Sequence, residues 1–128
     1  LVRIGDRLVT SDEEIEIYSR SEIILNPHTA LGSKEGQECD FINPRTFVAA
    51  GCGAFQLVDK RSLLELHFKI GHEIVVYEDC DELREKIAYY LEHAVERRLI
   101  GSRAQERVRK EHSYTRRMQE MLQCVFPA

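Results

Sequence analysis

The run Asn43-Pro44-Arg45-Thr46 combines a helix start with a charge of the wrong sign for that place. Asn is a good N-cap because its amide oxygen accepts from a free backbone N–H. Pro suits the first helical position, where an N–H has no partner anyway. Arg45 then puts a cation at the positive end of the helix dipole, which is unfavourable by about 0.3–1 kcal/mol unless something offsets it. A docked anion reverses that sign, since backbone N–H groups and a guanidinium together make a phosphate site. The competing reading is that Arg45 turns to solvent or pairs with an acid such as Asp40 or Glu73. His28 and Lys34 either add to the same anion or are plain loop residues in water. Asp40 either accepts from a ligand hydroxyl or bridges to Arg45.

No acid pair, Ser-His-Asp set or Cys-His set stands at a spacing that implies catalysis, so catalytic residues stay unassigned and no bound metal is expected. The cysteines Cys39, Cys52, Cys80 and Cys124 form no C-x-x-C pair, and none has a His at zinc-ligand spacing. They read as reduced thiols, mostly packed as small apolar groups. Gly51-Cys52-Gly53 is not a dinucleotide fingerprint; it reads as a helix stop that lets the next strand pack closely. The arginine-rich run from Arg97 to Arg117 is interspersed with Glu106 and Glu111 and reads as a solvated helix face. With a net charge of −4, the chain is not built for nucleic-acid phosphates, and no nucleic-acid partner is expected.

The elements that must position these residues alternate. Val2-Arg3-Ile4 reads as a short strand. Ser11 and Glu14 read as a capping box opening a helix, with Ile15 and Tyr18 on one face, that ends near Ser19. Glu22 to Leu25 reads as a buried strand, followed by a long loop over 26–42. A helix is expected from Pro44 to about Ala50, a strand from Ala54 to Val58 closed by Asp59, and a short helix from Ser62 to Leu66. Glu73 to Tyr77 is the next strand. Asp79 caps a helix carrying Leu83, Ile87 and Leu91; of Tyr89 and Tyr90, one packs and one is exposed. A helix from about Val95 to Lys110 should bury Leu99, Ala104 and Val108. Ser113 caps a last helix that should bury Met118, Met121, Leu122 and Val125.

Strands buried on both faces and alternating with helices imply an α/β fold: a partial Rossmann-like parallel sheet flanked by helices, with a helical C-terminal tail. In such a sheet ligands bind outside the carboxyl ends of the strands. The 128 residues, 43% apolar and 31% charged, suit one ordinary globular domain. No stretch approaches the roughly 20 apolar residues of a membrane span. The chain opens with Leu1 and shows no signal peptide, so it reads as a piece of a longer cytoplasmic protein.

Ile23-Ile24-Leu25-Asn26-Pro27-His28, then Asn43-Pro44-Arg45-Thr46-Phe47 and Ala49-Ala50-Gly51-Cys52-Gly53-Ala54-Phe55, resemble the spore-maturation (CgeB-like) glycosyltransferases. The likeness continues through Gly71-His72-Glu73-Ile74-Val75 and Asp81-Glu82-Leu83 to His112-Ser113-Tyr114, nearly the whole chain. The resemblance implies a GT-B enzyme with two Rossmann-like halves. Residues 1–128 correspond to part of the C-terminal, nucleotide-sugar-binding half, without the acceptor domain. It implies a nucleotide-diphosphate sugar as donor substrate, no separate cofactor and an unknown acceptor. Many retaining GT-B enzymes carry two glutamates separated by seven residues, one on the donor sugar and one on the ribose. Those places fall on Asp40 and Val48 here, and Val48 cannot accept a hydrogen bond. Between them, the backbone of Phe41-Ile42-Asn43 would face the sugar and phosphates.

The candidate donor-binding set is therefore Asn26, His28, Asp40, Phe41, Ile42, Asn43, Arg45 and Val48. Two further βα units are expected before Val2, so a partner chain, in a homodimer, is one way to complete the sheet. Two other readings stay open: a non-catalytic module whose donor site has degenerated, supported by Val48, and an α/β scaffold domain unrelated to sugars.

Overall fold

A computed structural model describes residues 3–4, 7–28 and 41–127. The first elements are β1 (Arg3–Ile4) and β2 (Arg7–Leu8), which pair antiparallel as a ribbon apart from the main sheet. The segment expected as a first sheet strand thus pairs with a neighbour too short to read from sequence.

The helix α1 (Ser11–Arg20) is capped one residue earlier than expected. Thr10 accepts from the Glu13 N–H at 3.3 Å, and Glu13 accepts from the Thr10 N–H at 2.9 Å. Arg7 decides between the two possible boxes, because its guanidinium grips Glu13 at 2.8 Å. Those hydrogen bonds, Arg7 first, hold the Glu13 carboxyl down at about 2. Glu14 instead accepts from the Tyr18 hydroxyl at 3.0 Å. Tyr18 is buried, whereas Ile15, expected beside it, is exposed.

The parallel sheet follows: β3 (Ile24–Asn26), then α2 (Pro44–Gly51), β4 (Gln56–Asp59), a 3-10 turn at Ser62–Leu66, and β5 (Val75–Tyr77). The strand order is β3-β4-β5, with Leu25 opposite Leu57 and Leu57 opposite Val75. Because side chains alternate across a sheet, Leu57 and Val75 face one side and Val58 the other. Val58 packs with Ala50 of α2 and with Leu64, Phe68 and Ile74. The opposite side is covered by α3 (Cys80–Glu92) and α4 (Ala94–Glu111), whose Tyr90 and Ile100 pack with Phe55, Leu57 and Val75. Burial of the strands on both faces therefore holds for β4 and fails at β3. Leu25 is 49% exposed, because the cluster under α3 and α4 ends short of this edge strand.

The cap at Asp79 is as expected: its carboxylate accepts from the N–H groups of Asp81 and Glu82 at 2.9 and 2.8 Å. Tyr90 packs and Tyr89 is exposed, while Leu91 is also exposed. In α4 the buried stripe is Arg97, Ile100, Gly101 and Ala104, with Val108 half-buried; Leu99 faces water, one position off the stripe. Arg97 departs from the solvated face expected of this run. It donates to the carbonyls of Tyr90 and Leu91, closing the end of α3.

The last helix, α5 (Tyr114–Val125), is capped by Ser113, which accepts from the Arg116 N–H at 3.2 Å. It buries nothing: Met118, Met121, Leu122 and Val125 are all exposed, against expectation, because nothing among the described residues covers them. Among the described cysteines Cys52 is half-buried, while Cys80 and Cys124 are exposed rather than packed. Among the described residues no helix is long and apolar enough to cross a membrane.

Candidate functional site

The strands β3 and β4 end side by side, and α2 begins against those carboxyl ends. What joins them is a network of buried amides and one hydroxyl. Asn43 caps α2: its Oδ1 accepts from the Thr46 N–H at 3.0 Å and from the Thr46 hydroxyl at 3.1 Å. Its Nδ2 donates to Asn26 Oδ1 at 3.0 Å. Asn26, the last residue of β3, donates back to Thr46 Oγ1 at 3.0 Å and to Gln56 Oε1 at 3.2 Å. Gln56 opens β4 and donates to the Thr46 carbonyl at 2.9 Å. Asn26, Thr46 and Gln56 are closed to solvent, so each bond here is made where an unmade one is expensive. Among the described residues no buried side-chain nitrogen or oxygen lacks a partner. The amino end of α2 is thus held in register with the strand ends beneath it.

His28 follows β3 and is buried as well. Its ring Nδ1 lies 2.6 Å from Asp59 Oδ1, and its backbone N–H donates to the same oxygen at 2.8 Å. Since a carboxylate only accepts, Nδ1 carries the proton. The other ring nitrogen, Nε2, faces Thr46 Oγ1 at 3.5 Å. Arg61 holds the second carboxylate oxygen of Asp59, through Nε at 2.9 Å and through a second guanidinium nitrogen. Burial pushes the Asp59 carboxyl up. The bonds from His28 and Arg61 outweigh that effect and leave it below its ordinary 3.8.

The expected site residues fall into three groups. Asn26, His28 and Asn43 belong to one buried network, and Phe41 lies edge-on to the His28 ring with centroids 6.0 Å apart. Ile42 and Val48, together with Pro44 and Phe47, line a mostly apolar groove of about 490 Å³ that Tyr114 and Arg117 of α5 also border. Val48 is exposed there. Arg45 is exposed beside the cap and makes no hydrogen bond or ion pair among the described residues; Glu73, named as a possible partner, is held by Arg107 at 3.1 Å instead. The Arg45 charge is felt at the Tyr18 phenol on α1, which burial and Glu14 together push up to about 12. Lys34 and Asp40 lie outside the described residues.

Sequence reasoning passed over Thr46, Gln56, Asp59 and Arg61 as site residues. Asp59 carried a weak signal, as a charge closing a strand. Gln56 and Thr46 carried none, because an amide inside a strand and a threonine inside a helix look like surface choices until the strand ends are brought together. Asp79-Cys80-Asp81 also spells a carboxylate pair two residues apart. Asp79 is occupied as the α3 cap and Asp81 pairs with Arg84 at 2.7 Å. Among the described residues no group of three or more potential ligands is placed to hold a metal.

Residues 2–123 match the family described as glycosyl transferase-like. Among curated proteins the chain is similar to the spore protein CgeB of Bacillus subtilis (strain 168), with 29% identity over 94 residues, 70% of this chain. The aligned part spans 28% of that protein's length. No solved structure matches the chain.

Proposed function

The chain belongs to the glycosyl transferase-like family, and from that premise we propose that it is the donor-binding part of a glycosyltransferase, holding the diphosphate of a nucleotide sugar at the amino end of α2. The observation that carries this reading is Arg45. It is an exposed cation in the first turn of α2, with no acidic residue in that turn and no ion-pair partner among the described residues. Such a charge is unfavourable for the helix and favourable for an anion docked on it. The cap takes up the Thr46 N–H and Pro44 has none, so the Arg45 N–H and guanidinium are what this turn offers.

In the proposed reaction the bond from the sugar's anomeric carbon to the diphosphate oxygen breaks, and negative charge grows on the leaving diphosphate. A cation and a helix end fixed beforehand by the Asn26–Asn43–Thr46–Gln56 network stabilise that charge without having to reorganise. Asp40 orients the sugar, and the acceptor is held outside these residues. The nucleotide sugar is the donor substrate, and the scheme calls for no further cofactor.

Calorimetry with UDP and GDP on the longest available chain tests this. Arg45→Ala should weaken the binding about tenfold or more, the worth of one charge-assisted hydrogen bond. Unchanged affinity removes the phosphate role. A second reading, a module whose donor site has degenerated, is favoured by Val48, whose exposed side chain offers no acceptor for ribose hydroxyls. Sharply tighter binding by Val48→Glu would support that reading.

A further inference from the structure

We propose that Asp59, clamped by Arg61, is a positioning residue for this site: it fixes His28 and, through the His28 ring, the hydroxyl of Thr46 in the first turn of α2. The inference rests on the proposed donor site for its functional consequence, while its structural part stands independently. Asp59 is the last residue of β4. Its Oδ1 accepts two N–H groups from one residue, the backbone and ring nitrogens of His28. Its Oδ2 is taken by Arg61, which also donates to the His28 carbonyl at 3.2 Å. His28 is therefore held at its N–H, its carbonyl and its ring by a single carboxylate–guanidinium pair.

The consequence reaches α2. A ring pinned through Nδ1 cannot turn, so Nε2 stays packed beside Thr46 Oγ1 at 3.5 Å; the one hydroxyl proton goes to Asn43 Oδ1, and the unprotonated Nε2 holds the hydroxyl by contact and not by a hydrogen bond. That oxygen is also where Asn26 and Asn43 meet, so the carboxyl end of β4 is linked to the turn that carries Arg45. The His28 side chain is closed to solvent, so its effect on the site runs through Thr46 and the turn that carries Arg45. Displacing a binding turn by a fraction of an ångström is enough to weaken a fixed anion site.

The test uses the full chain with isotopic labels. Asp59→Ala should move the His28 proton from Nδ1 toward Nε2, shift the Thr46 amide signal and speed its hydrogen exchange. Asp59→Asn keeps an acceptor, so it should retain the Nδ1–H form with intermediate exchange at Thr46. If the alanine variant does not fold, the asparagine variant decides, and a Thr46 exchange rate equal to wild type overturns the proposal. In calorimetry with UDP, Asp59→Ala should weaken binding about tenfold, yet add nothing in a His28→Ala background, because the two act as one unit. Equal losses in both backgrounds overturn it. If the wild-type chain binds no nucleoside diphosphate, the donor reading fails by itself. The Asp59 proposal then stands or falls on the His28 tautomer and the Thr46 signal alone.

Discussion

Thr46 shows how much a single hydroxyl can organise. It accepts from Asn26, where water does not reach, and donates to the half-buried Asn43. Thr46→Val keeps the shape and β-branching and removes only those two bonds. One buried N–H of Asn26 would then lack a partner, while Asn43 Oδ1 keeps the Thr46 N–H, and the chain should lose about 1–3 kcal/mol by urea unfolding. A loss under about 0.5 kcal/mol would mean that N–H finds another partner, as a loosely packed network allows. The site's polarity was half legible in the sequence. The Asn43 cap and the anomalous Arg45 are local features, readable from four consecutive residues. The bonds from Asn26 to Thr46 and from His28 to Asp59 bridge 20 and 31 residues, and only the parallel pairing of β3 with β4 creates them.

At the scale of elements, α4 comes very close at Gly101 to the backbone that leads into β4. A Cβ on Gly101 would lie 2.3 Å from the Gly53 carbonyl oxygen, with more β4-side backbone behind it. That backbone is tied to α2, the Gly53 N–H donating to the Ala50 carbonyl at 2.9 Å and the Ala54 N–H to the Ala49 carbonyl at 3.1 Å, so it has little freedom to retreat. Gly101→Ala should push α4 off the sheet and destabilise by about 1–3 kcal/mol or more in chemical unfolding, as overpacking does. Gly51→Ala is the control. Its Cβ would meet only Val108 at an ordinary 3.8 Å, and stability should hold or rise by a few tenths of a kcal/mol, since Ala suits a helix better. Helix starts at Asn43, Asp79 and Ser113 were legible because a cap is a local chemical event. Which face a helix buries was not. Leu99 and Ile100 are equally apolar neighbours, and the close approach at Gly101 selects Ile100. At α1 the choice between Ser11 and Thr10 as cap was likewise made by Arg7, outside the helix.

Across the whole molecule, stability is concentrated around β4. Leu57 and Val58 are fully closed to solvent and anchor the clusters on the two faces of the sheet. The C-terminal helix is the opposite case. Its apolar face is as marked in the sequence as any in the chain, yet no residue of α5 is buried, and among the described residues it is tied to the body by the Ser113 cap, by Arg117 over the Phe47 ring at 5.1 Å and by Arg117 to the His112 ring at 3.2 Å. Periodicity reports that a face is apolar and says nothing about what covers it, so the expectation of buried Met118 and Leu122 went beyond what the pattern held. The two cases separate in a measurement. Leu57→Ala removes packing on a face with no room to collapse and should lose about 2–5 kcal/mol by urea unfolding. Met118→Ser with Leu122→Ser exchanges side chains that already meet water, and should change stability by less than about 1 kcal/mol. If the double variant lost as much as Leu57→Ala, the face of α5 would have to be covered in solution. The division of the chain into a load carried by the sheet and an unsupported last helix would then be wrong.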